Sequence, residues 1–181
     1  MTDDPNAATL DDDGGRHRIR FQRLLPHPVE RVWAALTEPD ELAAWFPTTI
    51  EGDLEPGASL RFGFRGTADA SLGFTGAVVA VDPPRLLAFL WGTDELRMEL
   101  EPTTDGGCLL TFTDTVDVLG HSARNAAGWH VCLDRLPEHL GGAEVDAPTS
   151  EPTNEWQAHF DRYAAAFGPE AATAGGATEP A

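Results

Sequence analysis

Asp114 is the residue whose position packing alone explains least. The stretch Cys108–Val116 (CLLTFTDTV) alternates apolar and polar side chains, and the alternation that turns Leu110 and Phe112 inward turns Asp114 inward with them. A carboxylate on an apolar face must be paired, be held protonated, or be placed to orient a ligand or move a proton. The bland alternative is a carboxylate at the wet end of its strand, paired with an arginine or a backbone amide. His121 and Arg124 follow at the entry of the next element. Together with Asp114 they form the one candidate catalytic set, an acid, a base and a cation suited to a cyclase, dehydratase or hydrolase. For His121 the simpler reading is a surface residue at a helix entry. His130 and Asp134 are spaced to pair on one helix flank, but no third member of a nucleophilic triad is readable. His130 and Cys132 fall on different helix faces and no spaced ligand set accompanies them, so no metal site is expected. The glycine-rich pieces Gly63–Gly66 and Gly73–Gly76 lack a phosphate-loop pattern and mark strand bends. No cofactor is expected.

The elements that would position these groups follow from hydrophobic period. In His121–Leu140, Trp129, Leu133, Leu136 and Leu140 recur on one helical face with Cys132 and Ala126 beside them. Gly120 and Gly141 suit its two ends, and Pro137 should kink or split its last turn. Upstream, Arg16–Leu25 alternates as a half-buried strand. PVERVWAALT and PDELAAWF read as two short helices, each opened by a proline. Six further strands are expected at Thr49–Leu54, Ser59–Phe64, Leu72–Val81, Leu86–Trp91, Leu96–Glu101 and Cys108–Val116. Short turn-rich gaps between them join antiparallel neighbours. The inward positions include Phe62 and Phe64, Phe74, Phe89 and Trp91, Met98 and Phe112. The opposite positions, such as Arg97, Glu99, Thr111 and Thr113, are polar. One sheet face is therefore wet and the other needs a cover, which the long helix supplies. Either the aromatic set, with Trp45 and Trp129, fills a core, or it lines a pocket against the helix.

The chain of 181 residues suits one domain with tails. Residues 1–15 carry five Asp and no Arg, and residues 144–181 carry seven acids and one Arg, so much of the net charge of −18 lies outside the centre. Residues 1–15 and 169–181 are expected to be disordered, flanking a domain over 16–143. A linker and a docked helix carrying Trp156, Phe160, Tyr163 and Phe167 fill 144–168. The acidic balance excludes nucleic-acid and anionic-membrane binding, which need basic patches. No apolar run is long enough for membrane insertion, and the acidic N-terminus is unlike a signal peptide, so a cytosolic protein, monomer or homodimer, is expected. Cys108 and Cys132 read as buried free thiols. All twelve basic residues are Arg.

Three stretches carry a family resemblance: residues 28–46 (PVERVWAALTEPDELAAWF), residues 82–92 (DPPRLLAFLWG), and Gly128-Trp129 followed by Leu133 and Leu136. In this order they resemble the START-like or SRPBCC superfamily. The nearest likeness is to the branch similar to the C-terminal domain of the activator of the 90-kDa heat-shock protein ATPase. The likeness spans about residues 17–142. It implies an α+β helix-grip fold, a curved antiparallel sheet of about seven strands round a long C-terminal helix, with an apolar cavity between. Relatives of this kind bind lipids, sterols, polyketides or other apolar molecules; some are cyclases or hydrolases, and others act on a protein partner. Relatives in this branch often carry a His near the end of the last strand, where this chain has Asp114. The expectation is binding of a small apolar molecule between helix and sheet, rather than catalysis. The proposed lining is Trp45, Phe62, Phe64, Phe74, Phe89, Trp91, Met98, Phe112, Trp129, Cys132, Leu133 and Leu136. A chaperone-linked or other protein-interaction module is the alternative, and an enzyme using Asp114 with His121 or Arg124 is the second.

Overall fold

The first hairpin is made by its turn. In the computed structural model, which describes residues 4–65, 73–149 and 151–174, Gly14 and Gly15 take φ of 64° and 90°. A left-handed pair of this kind closes a two-residue hairpin without splaying its strands. Strands β1 (Thr9–Asp13) and β2 (Arg16–Leu25) pair across it, Asp13 opposite Arg16. Arg18 reaches back to Asp11 at 2.9 Å and Asp13 at 3.2 Å. The expectation of disorder is thus corrected over residues 4–15; residues 1–3 lie outside the described residues. The acids that look like a solvated tail face a row of arginines, and the Gly-Gly turn brings the two together.

The remaining elements follow the hydrophobic period closely. Helices α1 (Val29–Thr37) and α2 (Pro39–Trp45) are joined by the indole N–H of Trp45, which donates to Ala35 O at 2.8 Å. Strands β3 (Thr48–Glu51), β4 (Ser59–Phe64), β5 (Phe74–Asp82), β6 (Leu86–Trp91), β7 (Asp94–Pro102) and β8 (Cys108–Val116) complete the sheet. Its order is β1-β2-β8-β7-β6-β5-β4-β3, antiparallel throughout, eight strands where about seven were expected. The expected start of β5 at Leu72 lies outside the described residues. Gly76 lets β5 meet its neighbour, since a Cβ there would sit 1.9 Å from Leu90 O.

Helix α3 (Ser122–Leu140) covers the sheet, and Leu133 and Leu136 are wholly buried beneath it. It runs on through Pro137 as one helix; the proline falls so near the C-terminus that the turn is still closed by Gly141 N–H to Pro137 O. Helix α4 (Asn154–Phe167) packs beside α3, its start capped by the Thr153 side chain. Beyond it, residues 169–174 are ordered, which corrects the expected disorder from 169. Pro169–Ala172 form a 3-10 turn with Ala171 buried, and Ala174 N–H bonds Gly120 O. Gly120 is needed there because a Cβ would meet Thr173 Oγ1 at 1.9 Å.

Candidate functional site

The inner face of β8 carries Asp114 into the core, fully buried between Leu96 of β7 and Ile19 of β2. Two donors from α3 meet its Oδ2, the indole N–H of Trp129 and the amide of Asn125, each at 3.0 Å. Its Oδ1 is buried without a partner. Asn125 also donates to Asp94 Oδ2 at 3.0 Å, and Asp94 accepts the Asp117 backbone N–H. One asparagine therefore bridges two inward-facing carboxyls. Burial, aided by the charge of Asp94, pushes Asp114 up to about 7 against the two hydrogen bonds that favour its ionised form. The candidate catalytic trio is not assembled. The hydrogen bonds to Asp114 come from Asn125 and Trp129, not from His121 or Arg124. His121 stands half-buried at the N-cap of α3, and Arg124 is exposed.

The space between sheet and helix is filled by interlocked side chains. Phe62 stacks on Phe74 and Phe89 at 5.0 and 5.7 Å, Phe112 leans on Trp129 at 4.9 Å, and Trp45 meets Phe46 edge-on at 5.4 Å. Trp45, Phe62, Phe89, Met98, Phe112, Leu133 and Leu136 are at most 1% exposed. Their expected role as pocket lining is corrected: they are packing core, because ring shapes and rotamers that sequence period cannot encode close the gap. Phe64 and Phe74 are half-buried, tilted against each other at 5.9 Å.

A cleft of about 430 Å³ opens instead on a flank of α3 at the edge of this core. That volume is within the usual range for small-molecule sites. Asn125, Gly128, Trp129 and Cys132 form its helical wall, and Trp91, Pro47 and Trp156 complete it. The opposite wall is the extended segment over 146–149 and 151–153. Arg135 ties that segment down by donating to Asp146 O, and Pro148 is buried in it. Trp156 Nε1 lies so near α3 that a Cβ on Gly128 would stand 3.8 Å from it. Of the expected lining, Trp91, Trp129 and Cys132 do face this cleft, and Arg124 stands at it too. Cys132 is no nucleophile at neutral pH, since burial pushes its thiol up to about 12. Sequence reasoning missed Asn125, Gly128 and the segment beyond Asp146. Two signals were legible: prolines spaced through 148–152, and a tryptophan at the start of the docked helix.

A second polar cluster lies on another flank of α3. His130 Nε2 stands 3.3 Å from Asp134, the expected flank pair, and its Nδ1 lies 2.6 Å from Tyr163 Oη. Tyr163 Oη accepts the Ala8 N–H, so its hydroxyl proton is free to go to His130, leaving the histidine Nε2–H for Asp134. His159 of α4 stacks on His130 at 4.0 Å. His130, Asp134 and His159 have ligand atoms within 4.8 Å of one another. They fit a metal poorly, because Arg162 Nη2 stands 3.1 and 3.0 Å from the two histidine Nδ1 atoms and buried Arg23 bonds Asp134 at 3.0 Å. Burial, with His130 and Arg162 beside it, holds His159 down at about 4. The cluster fastens the N-terminal strand and α4 onto α3.

The family model described as "Activator of Hsp90 ATPase homolog 1-like protein" matches residues 26–141. The chain belongs to this family. The match runs from just before α1 to the end of α3, so β1, the cleft wall beyond 146 and α4 lie outside it. Among solved structures, CalU16 from Micromonospora echinospora is similar over 89% of this chain and 96% of its own, at 24% identity and a TM-score of 0.67. EF2215 from Enterococcus faecalis, a conserved protein of unknown function, is similar over 88% and 89%, at 20% identity and a TM-score of 0.70. DynU16, described as a protein in the dynemicin biosynthetic locus, is 28% identical over 76% of this chain and 52% of its own, with a TM-score of 0.62. The first two likenesses show the fold: a curved antiparallel sheet gripping a long helix, as the family has it. Among curated proteins, none matches this chain. No described helix is long and apolar enough to cross a membrane.

Proposed function

We propose that the protein binds a small, flat, largely apolar molecule in the cleft between α3 and the segment beyond Asp146. The observation that carries this is the convergence of Trp91, Trp129 and Trp156 on one cleft of about 430 Å³. Aromatic faces give large contact area at low entropic cost, and a few fixed polar groups then set orientation. The wall beyond 146 lies outside the residues that the family model matches. The likeness to DynU16, from a biosynthetic locus, fits a carrier of an aromatic metabolite or biosynthetic intermediate. The two buried carboxyls brace Asn125 and Trp129 from behind, and the pocket acts by holding its guest, with Asp114 sealed from it.

Three of the five tryptophans line the cleft, so intrinsic fluorescence reports occupancy directly. Titration with a panel of bicyclic and tricyclic aromatics should give saturable quenching, and Trp156→Ala should weaken it at least tenfold while the fold stays intact. If no panel compound changes fluorescence or melting temperature, or if Trp156→Ala binds as well as the parent, the cleft is not the site.

A further inference from the structure

Asn125, like Trp129, is a cleft-lining side chain whose orientation is fixed from behind. Its amide nitrogen carries two hydrogens, and both are spent: one on Asp94 Oδ2 and one on Asp114 Oδ2, each at 3.0 Å. The reverse amide orientation would press Oδ1 against both carboxyls, with Asp94 already acting as acceptor toward Asp117 N–H. The amide oxygen must then point away from the carboxyl pair. No described residue donates to it, and it is not among the buried orphan atoms, which are Arg23 Nε, Thr48 Oγ1, Asp114 Oδ1 and Ser122 Oγ. It is an accessible acceptor on the helical wall of the cleft.

Several polar groups around it are committed, while exposed Arg124 and the Trp156 indole N–H also stand at the cleft as donors. Trp129 gives its N–H to Asp114 and so offers a guest only its ring. Arg135 is held by Val131 O, Asp146 O and Glu155. Thr149 donates to Glu151 O, and Thr153 caps α4. At Asn125 the wall therefore carries a fixed acceptor, which favours a guest that places a donor at that point.

Resting on the cleft being the binding site, we infer that Asn125 makes it selective for aromatic molecules that carry an O–H or N–H donor, the donor bonding to Asn125 Oδ1. Ethers and plain hydrocarbons of the same shape leave that oxygen stripped of water and unpaired.

The test uses the full chain and matched probes: 2-naphthol and 2-naphthylamine as donors, 2-methoxynaphthalene as the acceptor-only analogue. By fluorescence titration 2-naphthol should bind about fivefold tighter than 2-methoxynaphthalene, the scale of one neutral hydrogen bond; 2-naphthylamine tells whether N–H serves as well as O–H. In Asn125→Ala combined with Asp114→Asn, which removes the carboxyl repulsion that Asn125 relieves, the preference should vanish while 2-methoxynaphthalene still binds. Should that variant not fold, the Asn125 side-chain amide resonance in the parent should move with 2-naphthol and stay still with 2-methoxynaphthalene. Equal affinities for the naphthol and its methyl ether overturn the inference and leave the cleft standing. A preference that survives the double variant, or an amide resonance indifferent to 2-naphthol, also overturns it. Failure of all three probes to bind removes the cleft reading itself.

Discussion

Asp114→Asn should change the shape of the stability–pH curve. Between its ordinary value of 3.8 and about 7, the native protein keeps a proton on Asp114 that the unfolded chain has released. The native state therefore binds more protons across that window, and stability falls as pH rises through it. At roughly 1.4 kcal/mol per pH unit, a shift of about three units costs about 4 kcal/mol by pH 8. The asparagine carries no such cost, keeps an acceptor oxygen for Asn125 and Trp129, and puts an amide nitrogen where Oδ1 has no partner. That unpaired donor gives back roughly 1–3 kcal/mol. The variant should therefore be about 1–3 kcal/mol more stable than the parent at pH 8 and no more stable, or less, at pH 4.

The parent curve alone does not isolate the effect. His159, held at about 4 instead of 6.5, is neutral in the native state while the unfolded chain is protonated, so its contribution rises with pH between those values and opposes Asp114. Asp4, Glu41 and Asp134 are all lowered despite their burial, by hydrogen bonds and by neighbouring arginines and histidines, and their contribution is lost as pH falls below the ordinary carboxylate range. Denaturant melts of parent and variant at half-unit steps from pH 4 to 8.5, subtracted from each other, cancel these shared contributions. A difference that stays constant across the range would show that Asp114 titrates as an ordinary carboxylate, and the reasoning from its burial would be wrong.

Three further outcomes are expected. Tyr163→Phe removes the hydroxyl between Ala8 N–H and His130, and should cost roughly 1–3 kcal/mol with faster amide exchange at Ala8; unchanged exchange would mean that the tyrosine does not hold the N-terminal segment. Gly128→Ala should stabilise by up to about 1 kcal/mol, as Ala over Gly does inside a helix, because its Cβ meets Trp156 only at ordinary contact distance; a loss in a thermal melt would show the fit to be tighter than that. Glu41 joins α2 to α3 through His139 at 2.7 Å and to α1 through Arg31 at 2.8 Å, and Glu41→Gln should cost no more than about 1 kcal/mol, most of it gone in high salt; a larger, salt-independent loss would contradict a surface pair.

The sequence by itself determined strands β2 to β8, the helices and most of the side chains that face inward. Period-two alternation in β2, β7 and β8 and the leucine spacing after Trp129 each leave one burial solution, so Ile19, Phe112 and Leu133 are core by pattern. The Gly14-Gly15 turn was as legible as any of these, though the acids before it read as tail. Alternation also put Asp114 inside, but its hydrogen-bond partners come from a helix that pattern cannot orient to within a residue, so the role of Asn125 stayed hidden. The place of the cleft was decided only in three dimensions. Whether aromatic rings leave a void depends on how they interlock, and here Phe62, Phe89 and Phe112 close the expected cavity. The space opens where a proline-bearing segment after Asp146 and Trp156 stands off α3, a separation between chain-distant parts that no local period records.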